Sequence, residues 1–271
     1  MSPFALAILK ECEAVRTAFG PATPPESHAY LDDLILRSRV FDVSAVVDLA
    51  YDLRERMFPH DETGALISQL NDDTLAFLPS PKTWIEWPSR DLGGQARRLA
   101  IFIQERSDGQ EPGHAAFTAH ALLRNGLIET LCEPCPFYLR GVERIGLWKP
   151  KILGKVNPEI VFDMIWSAYP LLAIINSPRI IDRKVHRAHK GLVREMKLHG
   201  RLPPQEWTEI VLRTTPPKSA HHDGSVMSGK KALHFCRKHI RFRLGRLEWV
   251  SAHWRGDPAI GVVKSRYVVR P

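Results

Sequence analysis

Histidines, arginines and one aspartate crowd the end of this 271-residue chain, on runs that alternate like short strands. The stretch reads His234-Phe-Cys-Arg237-Lys238-His239-Ile-Arg241, then Trp249, then His253-Trp-Arg255-Gly-Asp257, and it closes towards Tyr267. Buried strands have no use for such side chains, because an unpaired charge out of water is costly. Side chains alternate along a strand, so Arg237, His239, Arg241 and Arg243 share one face. His234, Cys236, Lys238, Ile240 and Phe242 share the other, and Ile240 with Phe242 marks that face as core. His253 and Arg255 share a face of the next strand, which Asp257 would continue; Asp257 and, further on, Tyr267 are candidates to orient an arginine.

Two kinds of chemistry suit this cluster. Arg237, Lys238, Arg241, Arg243 and Arg255 offer charge-assisted hydrogen bonds to phosphate, which guanidinium geometry favours. Alternatively, His239 and His253 serve as acid and base on a ribose 2′-hydroxyl and a leaving oxygen, which is metal-independent RNA cleavage. Binding needs fewer coincidences than cleavage. A structural Arg/His–Asp network without a ligand is the third reading.

Charge supports a polyanionic partner. The net charge is +8, but residues 181–271 carry a balance of +13 and the first 180 residues one of −5. Eight of the twelve histidines also fall in that final third. Such segregation implies a basic face towards a polyanion, against the plainer reading of a solvated basic surface.

Other motifs carry less. Cys132-Glu-Pro-Cys135 has the spacing of one zinc knuckle, but His114 and His120 nearby do not make a second, so two cysteines in a strand turn is the plain reading and no metal or other cofactor is expected. His186 and His189 stand one helical turn apart in a basic segment without neighbouring carboxylates. Gly93-Gly94 lacks the strand–helix setting of a phosphate loop. Trp84 and Trp87 flank Glu86 on a strand bounded by prolines. Core packing is the default for them; the alternative is a sheet edge where they anchor an extended peptide added as a strand.

The elements that must position these residues follow from periodicity. Apolar stripes predict helices in the first 58 residues, the second capped by Asp42 or Ser44. Alternation then predicts strands at 83–87, 99–103, 115–123, 127–131 and 137–142, with Asn125-Gly126 as a hairpin turn. Asn157-Pro158 opens a helix over 158–175 that is apolar nearly all round and therefore central and buried. Its Asp163, Ser167 and Pro170 argue against a membrane span. A basic helix is expected over 180–199, a strand near 209–213, a loop over 214–231, and strands at 232–244, 246–253 and 261–269. The organisation is α+β: a helical N-terminal region (1–72), an antiparallel sheet with a buried helix (73–180) and a basic β-rich module (181–271). Four cysteines in a chain of this size imply reduced, cytoplasmic thiols, and the first residues lack the basic start and cleavage site of a signal peptide.

The terminal module resembles one found in phage and mobile-element proteins, a family that includes a type V-A anti-CRISPR inhibitor. The resemblance rests on His234 and His239 five apart with basic residues between them, the strand with Trp249, and His253-Trp-Arg-Gly-Asp257. It is weaker upstream, at Thr83-Trp-Ile-Glu-Trp87 and at Lys149-Pro-Lys-Ile-Leu153 with the helix after it. Cys236 departs from the pattern, standing where a basic residue is usual. The resemblance implies an anti-defence protein of a bacterial host's cytoplasm that recognises a nascent partner polypeptide at the ribosome, engages RNA and lowers expression of its target. A metal-independent ribonuclease and a phage structural or assembly protein are the alternative functions.

Overall fold

The computed structural model describes residues 7, 35–57, 77–89, 96–106, 114–124, 128–139, 150–153, 157–198, 203, 206–212, 231–236, 239–243, 246–250 and 253–262. The first expected helix apart from Ala7, the Asn125-Gly126 turn, Gly93-Gly94, the 214–230 loop, Arg237, Lys238 and Tyr267 lie outside them.

The fold is α+β. Its main sheet is built from β1 (Arg39–Asp42), β2 (Lys82–Pro88), β3 (Ala96–Glu105), β4 (His114–Leu123), β5 (Ile128–Thr130), β6 (Cys135–Tyr138), β7 (Ile181–His186) and β8 (Trp207–Leu212). The spatial order is β5-β4-β3-β2-β1-β8-β7, with β6 also paired to β4. Strand β1 runs parallel to both neighbours, β2 and β8, while the other pairs are antiparallel, so the sheet is mixed. The helical reading of the N-terminal region missed β1. Four residues are too few to show a period, and Arg39-Val-Phe-Asp42 becomes a strand because β2 and β8 supply its ladder on both sides.

Helix α1 (Val47–Met57) and helix α2 (Pro158–Ile175) pack on one face of the sheet. Phe41, Ile85, Trp87, Leu99, Ile101, Phe117, Phe137 and Ile210 meet Val47, Leu53, Met164, Ile165 and Leu172 in one core. Both ends of α2 are satisfied. The Asn157 side chain accepts the Glu159 N–H at 3.0 Å, and Pro158 starts the first turn, where no N–H is needed. At the other end, the Arg183 guanidinium donates to the Ile175 carbonyl at 2.6 Å. By length and composition α2 could cross a membrane, yet most of that window is buried inside the protein.

The basic segment 180–199 is only half helical. Ile181–His186 is β7, paired antiparallel with β8, and helix α3 spans Lys190–Leu198. Pairing with β8 overrides helix propensity here, and an edge strand tolerates the charges that suggested a helix face. Because β7 and β8 belong to the main sheet, the basic third is woven into the body. The remaining strands are β9 (Ala232–Cys236), β10 (His239–Arg243), β11 (Arg246–Val250), β12 (His253–Arg255) and β13 (Asp257–Val262). Within the expected long strands over 232–244 and 246–253 the described strands pair differently: β10 with β11 as a hairpin, and β9 with β12 and β13 in a three-stranded sheet. The hairpin buries Ile240 and Leu247 in the main core, beside α1.

That burial sets a first expectation: Leu247→Ala removes a fully packed side chain and should cost about 2–4 kcal/mol. The shift of the urea unfolding midpoint measures it. A surface-like change below about 0.5 kcal/mol would mean that the hairpin is not part of the core.

Candidate functional site

Register explains where the sheet keeps its polar residues. Lys184 (β7), Glu209 (β8), Asp42 (β1), Glu86 (β2), Ala100 (β3), His120 (β4) and Thr130 (β5) are successive cross-strand partners, so one row crosses seven strands. Cross-strand partners share a face. This row lies on the face turned away from α2, among Ile35, Val40, Trp84, Phe102 and Leu122. Side-chain exposure falls inward along it: 59% for Lys184, 30% for Glu209, 11% for Asp42 and zero for Glu86.

Three adjacent carboxylates would repel one another without cations. Arg98, one register step away on β3, places one terminal nitrogen 3.2 Å from Asp42 Oδ1, 3.0 Å from Glu86 Oε1 and 3.2 Å from Ser44 Oγ. Trp84 Nε1 donates to Glu86 Oε2 at 3.2 Å, and the Ser44 N–H donates to Asp42 at 3.0 Å. Asp42, a predicted helix cap, thus forms a turn that starts the approach to α1 and also serves the ion cluster. At the edge, Glu209 takes His186 Nε2 at 2.9 Å and Lys184 Nζ at 3.6 Å, with the His186 ring stacked on Trp207 at 4.0 Å.

His120 is the buried titratable group of the row. Its ring stacks on Trp84 with centroids 5.2 Å apart, and Nδ1 lies 3.3 Å from Thr130 Oγ1. Nε2 has no partner. Burial lowers its pKa from 6.5 to about 3, so the ring is neutral at pH 7. The sequence reading considered His120 only as a neighbour of Cys132 and Cys135. Cys135 is the cross-strand partner of Phe117, on the helix-packed side of the sheet, whereas His120 faces the other way. The two thiols hydrogen-bond to each other, which lowers the pKa of Cys132 and raises that of Cys135. Among the described residues no group of three or more side chains could hold a metal ion.

The terminal cluster divides between two sheets. Alternation holds on β10: Ile240 is buried, while Arg241 and Arg243 are exposed on the opposite face, which His239 shares through its backbone position. The side chain of His239 lies outside the described residues. Arg241 Nε donates to Glu248 Oε2 at 2.7 Å, from its cross-strand partner on β11. Arg243 pairs with Arg246 in backbone register.

On β12, His253, Trp254 and Arg255 are all exposed, and they pair with Cys236, Phe235 and His234 of β9. No cross-strand pairing joins β10 to β12, so His239 and His253 are not brought together as an acid–base pair by register. Asp257, the expected orienting carboxylate, accepts the Ala259 N–H at 2.9 Å, shaping its own turn. Gly256 before it has φ 117°, and a Cβ there would sit 2.3 Å from the Ala232 carbonyl oxygen, so only glycine fits.

For Trp84 and Trp87 the core reading agrees with the structure and the peptide-anchor alternative does not. Both are fully buried on β2, an interior strand between β1 and β3, with no edge for an added peptide. Trp84 serves the ion cluster, and Trp87 packs in the main core. Sequence reasoning missed Asp42, Glu86 and Arg98. Their one visible signal was Glu86, a carboxylate between two tryptophans in an apolar strand. Comparison with protein-family models, curated proteins and solved structures finds no match to this chain.

Two outcomes test the row. Arg98→Met leaves Asp42 and Glu86 uncompensated and should cost about 3–5 kcal/mol, read from denaturant unfolding; adding Glu86→Gln should return part of that loss. His120 has a lowered folded pKa, so between about pH 3 and 6.5 only the unfolded chain takes up its proton. Its contribution is complete above pH 6.5 and declines as pH falls, by about 1.4 kcal/mol per unit. The stability of His120→Gln should therefore fall less steeply with acid than that of the natural chain; parallel pH profiles would contradict this.

Proposed function

We propose that the chain is an anti-defence-like adaptor of phage or mobile-element origin, working in the cytoplasm of a bacterial host. It engages RNA, or the ribosome through its RNA, with the outward faces of its C-terminal strands, and it recognises a partner polypeptide, lowering that target's expression. The observation that carries the RNA part is the two-sidedness of the β10–β11 hairpin. Ile240 and Leu247 pin one face to the core, and Arg241 and Arg243 stand exposed on the other. Arg255 adds a third exposed guanidinium on β12. Cations on anchored strands are pre-positioned, so binding a phosphate chain costs little ordering entropy. The partner-polypeptide part rests on the resemblance of the terminal module alone.

Arg243 and Arg255 are the more available cations, since Arg241 already shares charge with Glu248. Phosphate contacts release counterions, so affinity falls with salt in proportion to their number. Replacing both Arg243 and Arg255 by alanine should weaken binding to a single-stranded RNA probe and lower the slope of log K against log salt by about 1.4, near 0.7 per lost contact. Fluorescence anisotropy across a salt series measures both. An unchanged slope, or no RNA binding by the natural chain at low salt, would overturn the proposal.

A further inference from the structure

Helix α3 has two stripes and hides neither. Lys190, Arg194 and Lys197 recur at positions four and three apart and line one side; Leu192, Val193 and Met196 line the side next to it. No α3 residue is buried, and Leu192 and Leu198 are 43% and 75% exposed. Val185, on the edge strand leading into the helix, is exposed as well. A shallow groove of about 430 Å³ runs along the helix, lined by Ala188, Val193 and Leu198 together with Lys190, Arg194 and Lys197.

The charges here are poorly arranged for a helix left to itself. Like charges at such spacings repel along a helix face, and Lys190 sits in the first turn, where the helix dipole disfavours a cation. Elsewhere in the same region cations find carboxylates: Lys184 and His186 meet Glu209, and Arg187 meets Glu206. Among the described residues the three α3 cations have no such partner. A ligand that supplies both carboxylates and apolar side chains would remove the repulsion and cover the leucines at once. A phosphate chain would do only the first.

We infer that α3 and its groove dock an acidic amphipathic polypeptide segment, its carboxylates against Lys190, Arg194 and Lys197 and its apolar residues against Val193 and Leu198. This rests on the partner-polypeptide part of the proposed function, and it gives that partner a place and a chemistry. Recognition then belongs to the exposed helix rather than to the buried tryptophans.

The test uses the full chain and a fluorescein-labelled synthetic helical peptide carrying glutamates on one face and leucines on the other. The natural chain should bind it, and Arg194→Glu with Lys197→Glu should weaken binding by more than about tenfold. A probe with lysines in place of the glutamates should bind that double variant better than it binds the natural chain. Leu198→Ser should weaken the acidic probe without altering RNA affinity. All these positions are exposed, so folding is kept and a circular dichroism spectrum confirms it. Absence of probe binding at low salt overturns the inference, as does binding insensitive to Leu198 and matched by RNA of equal charge, which would make α3 an RNA contact. A natural chain that binds RNA but not the acidic probe sinks the inference alone; one that holds the probe but not RNA sinks only the RNA part of the proposed function.

Discussion

Carboxylates on neighbouring strands of a covered sheet face repel each other and lose their water together. Asp42 and Glu86 are in that position, and Arg98 lies between them within ion-pair distance of both. A buried pair of this kind is weak evidence for net stability, but removing one partner leaves a charge without compensation. The cluster therefore acts as a register lock. A one-residue slip of β1 against β2 would turn Asp42 towards the helices and Phe41 towards the ion cluster. Since β1 is also the parallel neighbour of β8, its register sets how the C-terminal third joins the body.

That attachment has consequences for function. The basic segment does not trail from a finished domain. It enters the sheet as β7 and β8, leaves, and returns as a hairpin whose apolar face completes the core beside α1. Its cations stay outside because the opposite side of each strand is needed inside. The same alternation that makes Ile240 a core residue makes Arg241 and Arg243 surface residues. One strand thus gives the core an apolar side chain and the surface two cations.

The sequence made the strongly periodic parts legible. Helix 158–175 is found where its capping asparagine, first-turn proline and apolar pattern place it, and the strands around 83–87, 99–103 and 115–123 are present with longer ends. Alternation also separated Ile240 from Arg241 and Arg243. What could not be read was pairing between distant segments. Strand β1 has only four residues, and the charges of Asp182, Arg183 and Lys184 fit a helix face as well as a sheet edge. Core packing is the default for Trp84 and Trp87, and the order of strands, which no local spacing shows, removes the edge that the anchor alternative needs. The ion cluster draws Asp42, Glu86 and Arg98 from three strands, so no local spacing could announce it.

The central claim is that a nucleic-acid chain meets this protein on the outward faces of its last strands. Hydrogen exchange read by mass spectrometry, with and without a single-stranded RNA, addresses it directly. The account predicts slower exchange over residues 239–262 at low salt, lost again as salt is raised, with β2, β3 and β4 unchanged. Exchange over 239–262 that is indifferent to RNA, or protection confined to the central sheet, would contradict it.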